Sequence, residues 1–361
     1  MPSFPRLSPD LMAERLAVPQ GRVRLVIDTD TANEIDDQFA LAWALLSPDQ
    51  LDVQAVTAEP FSFAHHLPEL QAAEAAMMSG RAWPEHLVGG FQGWLGRLQA
   101  QGRRVDDLRL VGPAEGMALS YHEIHRVFDA CGLSGEDRVH RGADRYLPDG
   151  ETPVVSDAAR VIVDLAHSGN GPLYIAALGC VTNIASAILM DPGIIRNIVV
   201  VWTSGYPSAA PHCNRPSLNM VQDLPASRLL FDCGVPHVYL PGYHVGAQLK
   251  ISLPEMERFV KGRGAIGDYL HHLFAHNPLH RMFALEDTAR RSWVIWDIIN
   301  IAWLINPDWV PTYLTTSPVL DDGLFWRKDP ERHMMREAHD VQRDEVFLNF
   351  FDALPKVPAT R

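Results

Sequence analysis

The segment VIDTDTANEIDDQFALAWAL (residues 26–45) contains five carboxylates within ten consecutive positions, namely Asp28, Asp30, Glu34, Asp36 and Asp37. Carboxylates at this density repel one another unless protonation or a nearby positive charge offsets them. A helix N-terminus favours acidic residues, so Asn33 or Asp36 could cap a helix predicted to start near Phe39. Capping accounts for one or two acids, but it leaves Asp28 and Asp30 unexplained. A hard cation with oxygen ligands, Ca²⁺ or Mg²⁺, suits the whole group better.

The surrounding pattern predicts strands and helices in alternation. VRLVI (23–27) is typical of a buried strand, FALAWALL (39–46) of a helix, and LDVQAVTA (51–58) of a second strand. This alternation continues to about residue 310, and the polar stretch 318–361 predicts only a terminal helix. We therefore expect one α/β domain over residues 1–361, with an open, mostly parallel, Rossmann-like sheet and helices on both faces. A segment rich in Gly, Pro, His and Trp at about 61–115 is predicted to be a loop or lid insertion.

In such a sheet the ligand crevice lies at the carboxyl ends of the strands, where Asp28 and Asp30 are expected. Two known patterns begin similarly. A dinucleotide-binding fold requires a Gly-rich turn here, and the carboxylates would repel its pyrophosphate. A phosphatase of the haloacid dehalogenase type would use Asp28 as nucleophile and Asp30 as acid. That hypothesis also requires a late Gly-Asp motif and a phosphate-binding Lys, and we find no convincing motif of this kind.

Composition limits the possible partners. The chain has 361 residues, 47% of them hydrophobic, and a formal net charge of −13. Because nucleic acids and anionic membrane surfaces attract basic proteins, we expect neither as a partner. No apolar stretch long enough to span a bilayer and no signal-peptide pattern are present, so we expect a cytoplasmic protein. The four scattered cysteines do not suggest a disulfide framework.

DTDTANEIDDQFAL resembles the N-terminal signature of the nucleoside hydrolase family (inosine–uridine preferring type), usually D-x-D-x-x-x-D-D. Three later segments resemble further family motifs in the same order: YIAALGCVTNIASAILMDP, SLNMVQDLPASRLLFDCGVP and VIWDIINIAWLINPDW. The resemblance implies a Ca²⁺-dependent enzyme that splits the N-glycosidic bond of ribonucleosides and forms a homo-oligomer, either a dimer or a tetramer. A non-catalytic Ca²⁺- or nucleoside-binding protein on the same fold is the alternative.

The resemblance also implies a role for individual residues. Asp36 corresponds to the general base, Asn219 to a ribose-binding Asn, and Asp28 to a supporting acid of the substrate site. The residues that correspond to Ca²⁺ ligands are Asp30, Asp37, Asp297 and, through its backbone carbonyl, Leu178.

The chain departs from the family pattern at three places. The first motif carries two extra residues, so Asn33 or Glu34 could have a role of its own. Ser217 stands where the pattern has a Glu that contacts the ribose 5′-hydroxyl, and Asn214 could replace that contact.

Trp296 stands in place of a His that precedes the last ligand. As in the purine-preferring branch of the family, it could stack on the base, which favours purine nucleosides; packing in a buried helix is the alternative. Several aromatic residues of the predicted insertion and just after it could also reach the base, although packing is the commoner role of such side chains: His65, His66, Trp83, Trp94 and Tyr121.

Overall fold

A computed structural model describes residues 4–81, 90–285 and 292–356 of the chain. Its strands are β1 Val23–Thr29, β2 Leu51–Ala58, β3 Val139–His140, β4 Leu173–Ala177, β5 Ile198–Ser204, β6 His237–Pro241, β7 Lys250–Ser252, β8 Ser292–Val294, β9 Thr312–Thr316, β10 Val319–Leu320, β11 Trp326–Arg327 and β12 Met334–Ala338. Its α-helices are α1 Pro9–Arg15, α2 Asp36–Leu45, α3 Leu67–Ser79, α4 Gly90–Ala100, α5 Pro113–Ala130, α6 Asp157–His167, α7 Thr182–Met190, α8 Leu218–Val221, α9 Leu224–Asp232, α10 Leu253–Glu255, α11 Gly264–Ala275, α12 Pro278–Met282, α13 Ile298–Ile305 and α14 Arg343–Ala353.

Eight strands form the main sheet in the order β3-β2-β1-β4-β5-β6-β12-β9, and all neighbours pair in parallel except β12 and β9. Successive side chains of a strand point to opposite faces. In β1, Leu25 and Ile27 belong to the core under α2, α5, α13 and α14, whereas Val26 belongs to the core under α6, α7 and α9. The sheet is buried on both sides, which confirms the predicted α/β fold with helices on both faces.

The C-terminal region was predicted incorrectly. The expected terminal helix is present as α14, but the sheet also continues beyond residue 310, because β12 pairs in parallel with β6 and β9 pairs antiparallel with β12. β9 is the edge strand, and its middle residues Tyr313 and Leu314 are exposed. An edge strand is covered on fewer sides than a central strand, so its sequence carries little of the hydrophobic signal that marked β1 and β2.

In the segment 61–115, the residues that the structure describes (61–81 and 90–115) are mostly helical. Helices α3 and α4 and a 3₁₀ turn at Val105–Asp107 enclose a small core of their own. This core also includes Ala284, and Phe283 packs against it, although both residues follow α12 far along the chain. The segment and the chain after α12 therefore form one packed unit beside the main sheet.

The strand register aligns the carboxyl ends of β1, β2 and β4. Asp28 in β1 lies beside Thr57 in β2 and Ala177 in β4. The chain therefore leaves the sheet at one edge just before Asp30, Glu59 and Leu178. In the part of the chain that the structure describes, no helix is long and apolar enough to cross a membrane.

Candidate active site

Three carboxylates meet where two helices begin. Asp36 and Asp37 form the first turn of α2, and Asp297 is the N-cap residue of α13, which packs against α2. One carboxylate oxygen from each lies within 4.8 Å of the others. The capping hypothesis was wrong, because the N-cap of α2 is Ile35 and no side chain caps that helix.

Asp30 lies beside this trio in the same cleft. The Asn33 amide donates a hydrogen bond to its carboxylate at 2.9 Å, and Asp30 also interacts with Asp37. The hydroxyl of Thr29 donates to Asp37 from the other side. These contacts tie the loop after β1 to the first turn of α2, and they hold four carboxylates at the floor of one cleft.

Burial determines the electrostatics of this floor. It raises the pKa of Asp30 to about 7, and it raises the pKa of Asp37 and Asp297 well above the ordinary range. Repulsion by Asp36 adds to each of these shifts. Among the described residues, no Lys or Arg forms an ion pair with any of the four. The charge is therefore offset only by protons, by backbone N–H groups, or by a cation from solution.

The turn after β4 requires a glycine. A Cβ atom on Gly179 would lie 2.3 Å from a carboxylate oxygen of Glu59 and 2.6 Å from the carboxyl carbon of Asp30. Both distances are far below contact, so only glycine lets the chain pass this close to the acids. The carbonyl of the preceding Leu178 lines the cleft and accepts a hydrogen bond from the Asn219 amide at 2.6 Å.

Helix α13 is fixed to the sheet below the cleft. The Asn300 amide donates to the carbonyl of Ala177 at 3.0 Å, at the end of β4, and to the carbonyl of Val201 at 2.9 Å, in the middle of β5. The hydroxyl of Thr203 donates to the same Asn300 side chain. These bonds set the position of Asp297 one turn earlier, so a single element supplies the acid and the anchor that locates it.

The cleft has a volume of about 460 Å³, an acidic floor and largely aromatic walls. Asn219, Ser204 and Ser217 give one side its polar groups. The aromatic lining consists of Phe63, His66, Tyr243, Phe283, Trp293 and Trp296. A ligand that fits has a polar, hydroxyl-rich end and a flat aromatic end.

The family model described as inosine-uridine preferring nucleoside hydrolase matches residues 25–347. The chain belongs to this family. It is 24% identical over 290 residues to the non-specific ribonucleoside hydrolase RihC of Salmonella paratyphi B, and the match covers 79% of each protein. Among solved structures, it is similar to the plant nucleoside hydrolase PpNRh1, with a TM-score of 0.61, 16% identity, and 92% and 98% of the two chains covered.

A second solved structure, the purine-preferring ribonucleoside hydrolase from Gardnerella vaginalis, gives a TM-score of 0.57 at 16% identity, with 91% of this chain and 97% of that chain covered. Family membership makes this chain a nucleoside hydrolase and decides against the phosphatase hypothesis. The low identities agree with the departures from the family pattern that the sequence shows.

Seven of the residues predicted for the site line the cleft of this nucleoside hydrolase: Asp30, Asp36, Asp37, Leu178, Asn219, Trp296 and Asp297. Asp28 lies below the floor, where its carboxylate accepts hydrogen bonds from the Asn183 amide at 2.9 Å and from Thr57. Burial raises the pKa of Asp28 to about 6. Its position fits a support for the loop and not a substrate contact.

Asn214 is not brought to the cleft. It is completely buried, and both atoms of its side-chain amide are bonded to backbone groups. The oxygen accepts from the Tyr206 N–H at 2.8 Å, and the nitrogen donates to the Leu324 carbonyl at 3.1 Å. Asn214 therefore holds two loops together and does not replace the missing Glu.

Several residues in and beside the nucleoside hydrolase cleft were not predicted from the sequence. Glu59 follows β2 just as Asp30 follows β1, so the rule about carboxyl ends of parallel strands could have found it. Phe283 and Tyr243 lie in turns and Trp293 lies in the three-residue strand β8, so no periodicity marks any of them. Among the aromatic residues proposed to reach the base, His66 lines the cleft, Trp94 packs against Phe283, and Trp83 lies outside the described residues.

Proposed function

We propose that this nucleoside hydrolase is a Ca²⁺-dependent enzyme that cleaves the N-glycosidic bond of ribonucleosides and favours purine nucleosides. The observation that carries the proposal is the convergence of Asp36, Asp37 and Asp297 at the floor of an aromatic-walled cleft. The products are the free base and ribose. The names of the relatives agree, since they describe a non-specific ribonucleoside hydrolase and a purine-preferring one.

The donor set suits a divalent cation. One buried oxygen of Asp36 and one of Asp297 have no hydrogen-bond partner within the described part of the chain, and both belong to the converging trio. In our proposal Asp30, Asp37, Asp297 and the Leu178 carbonyl hold Ca²⁺, which prefers oxygen ligands of this kind. The bound ion would orient the vicinal sugar hydroxyls and act as a Lewis acid toward the attacking water.

The side chains supply the rest of the chemistry. Asp36 acts as general base through its unpartnered oxygen and takes the proton of the water that attacks C1′. The C1′–N bond breaks as the new C–O bond forms, the leaving base takes up a proton from solvent, and Asp36 then returns the proton of the attacking water to solvent. The amide N–H groups of Asn219 donate hydrogen bonds to the carbonyls of Leu178 and Thr203, so its amide oxygen is left to accept from a sugar hydroxyl.

Trp296 supports the purine preference. Its indole lines the cleft and is packed edge-on against Tyr243, with 5.6 Å between ring centroids. The space beside Gly242 and Gly246 is also filled by this indole, which fixes the ring plane. A fixed indole offers a stacking surface worth about 1–3 kcal/mol per base, and a purine covers more of it than a pyrimidine does.

The test is release of free base from inosine, adenosine and uridine by wild type, Asp36→Asn and Asp37→Asn. We expect Asp36→Asn to lose at least 100-fold in kcat, by the usual worth of a general base, while it still binds Ca²⁺ in calorimetry. Asp37→Asn should lose Ca²⁺ binding and activity together. Asp30→Asn provides the comparison: if it keeps Ca²⁺ but loses kcat while Asp36→Asn loses Ca²⁺, the roles of Asp30 and Asp36 are exchanged. A wild type that binds nucleosides but cleaves none would establish a binding protein instead.

A further inference from the structure

Glu34 is the acid of the first motif that the proposed mechanism does not use. It belongs to the loop between β1 and α2, in the stretch where this chain carries two residues more than the family pattern. Its side chain lines the cleft together with Asp36 and Trp293. The indole N–H of Trp293 donates to one of its carboxyl oxygens at 2.5 Å.

Trp293 is itself well positioned to hold this carboxyl group. It lies in β8, which pairs with β7 through Trp293 and Ile251, and its ring packs edge-on against His280. One oxygen of Glu34 is thus bound to a fixed donor. Among the described residues, no further side chain donates a hydrogen bond to the second oxygen. The arrangement presents one oriented oxygen to a ligand.

The surroundings of Glu34 place it between the two ends of the cleft. The Glu34 carboxyl group accepts a hydrogen bond from Trp293 of the aromatic wall, and Glu34 stands two residues before Asp36 of the acidic floor. The carboxyl group therefore lies between the acidic floor and the aromatic wall. In a nucleoside bound with its sugar on the floor and its base against Trp296, this border is where the sugar joins the base.

Few substrate groups near that junction pair with a carboxyl group. The purine ring nitrogens near the glycosidic bond, N3 and N7, are acceptors, so they pair only with a protonated carboxyl group, and the N–H groups of hypoxanthine and adenine lie farther from it. Hydroxyls both donate and accept, so they pair with a carboxyl group in either protonation state. The vicinal 2′- and 3′-hydroxyls suit the carboxylate floor, which leaves the 5′-hydroxyl.

Ser217 cannot serve this hydroxyl as a Glu would. Its side-chain oxygen accepts the Gly205 N–H at 2.8 Å and lies 3.0 Å from the Ser204 hydroxyl. We propose that Glu34 binds the 5′-hydroxyl of the substrate's sugar and that Trp293 positions it. This inference rests on the proposed function, and it assigns to the extra loop residues a contact that the family pattern places elsewhere in the chain.

The experiment compares kcat/KM for inosine and 5′-deoxyinosine in wild type, Glu34→Ala and Glu34→Gln. Removal of the 5′-hydroxyl should cost the wild type roughly 10- to 100-fold, the range for a hydrogen bond to a charged group. Glu34→Ala should lose a similar factor on inosine and almost nothing more on 5′-deoxyinosine. Glu34→Gln should recover part of the inosine activity, because an amide also pairs with a hydroxyl. An equal loss on both substrates, or one that depends on the base instead of the hydroxyl, would overturn the assignment.

Two further variants and a binding measurement separate this result from simpler explanations. Trp293→Phe should weaken turnover of inosine more than turnover of 5′-deoxyinosine, because a change in the aromatic wall affects both substrates whereas the positioning of Glu34 affects only inosine. Glu115→Gln, an exposed acid paired with Arg109, should leave both substrates unaffected. Calorimetric titration of both nucleosides into Asp36→Asn, with and without Glu34→Ala, measures the same coupling without turnover. An enzyme that cleaves nothing but shows this coupling refutes the proposed reaction alone, whereas binding without any coupling refutes the role of Glu34.

Discussion

At the scale of single residues, the site depends as much on small side chains as on acidic ones. The carbonyl of Leu178 reaches the cleft only because Gly179 leaves room for the carboxylates of Asp30 and Glu59. No backbone requirement for a positive φ is involved at this glycine; the constraint is contact with two acids. This makes Gly179 a sensitive probe of how the proposed metal site is built.

We expect Gly179→Ala to destabilise the protein by about 1–3 kcal/mol, the usual cost of forcing an extra methyl group into packed space. The added carbon would displace Asp30 or the Leu178 carbonyl, so Ca²⁺ affinity should fall as well. We expect a loss of about tenfold or more, as is usual when one contact to a metal ligand is disturbed. Calorimetry and thermal unfolding measure the two effects. Gly150→Ala is the matched control, since a Cβ there meets nothing within 4 Å. Unchanged Ca²⁺ binding in Gly179→Ala would contradict the proposed ligand set.

Residue types and spacing revealed most of this site for physical reasons. Charges that must be offset, such as Asp36 and Asp37, are conspicuous in a sequence because burying them is costly. An amide such as Asn214 is not, because the same side chain can bind a sugar or a backbone carbonyl equally well. Only the fold shows that both ends of Asn214 are already occupied.

At the scale of elements, the aromatic wall depends on the contact between α4 and the chain after α12. The Trp94 indole donates to the Met282 carbonyl at 2.9 Å, and Arg97 donates to the Phe283 carbonyl at 2.8 Å. The rings of Trp94 and Phe283 also meet edge to face, 4.8 Å apart. Helix α4 thus fixes the wall residue Phe283, although almost two hundred residues of chain separate them.

Removal of one of these bonds should affect substrate binding more than chemistry. We expect Trp94→Phe to keep the small core filled but lose the bond to Met282, at a cost of about 1 kcal/mol. If the wall contacts the base, KM for inosine should rise while kcat changes less than twofold. Arg109→Ala removes an exposed ion pair in the same region and should change neither value. A fall in kcat with constant KM would show that α4 acts on the acidic floor instead.

The elements also explain which parts of the fold were predictable. β1, β2 and the helix between them are apolar and mostly buried, so their hydrophobic runs gave nearly the observed bounds. β9 and β12 complete the sheet through pairing with distant partners, and the short pattern of β9 is half exposed. Strand order and the packing of α4 on Phe283 are long-range contacts, which no local pattern records.

At the scale of the whole molecule, the buried acids link stability to pH. Without a cation, the folded chain holds protons on Asp28 and Asp30 up to a pH of about 6 and about 7, against a usual pKa of 3.8. Raised pKa values of this kind stabilise the fold fully below the unfolded value of about 4. That stabilisation is lost progressively as pH rises from about 4 through 6 to 7, because the unfolded chain ionises in this range while the buried carboxyl groups still hold their protons.

A cation that binds the ionised carboxylates of the floor should restore the stability that the fold loses as pH rises. We expect Ca²⁺ to stabilise the EDTA-treated protein by about 2.7 kcal/mol at a concentration of 100 times Kd, and the gain in Tm at fixed Ca²⁺ should be larger at pH 8 than at pH 5. At pH 5 protons compete for the same oxygens, so part of the binding free energy is spent on releasing them. Thermal unfolding at both pH values, with Asp37→Asn as the variant that should gain nothing from Ca²⁺, measures the difference. Equal gains at the two pH values would mean that the ion binds away from these carboxylates, because only groups that titrate in this range can make its affinity depend on pH in this way.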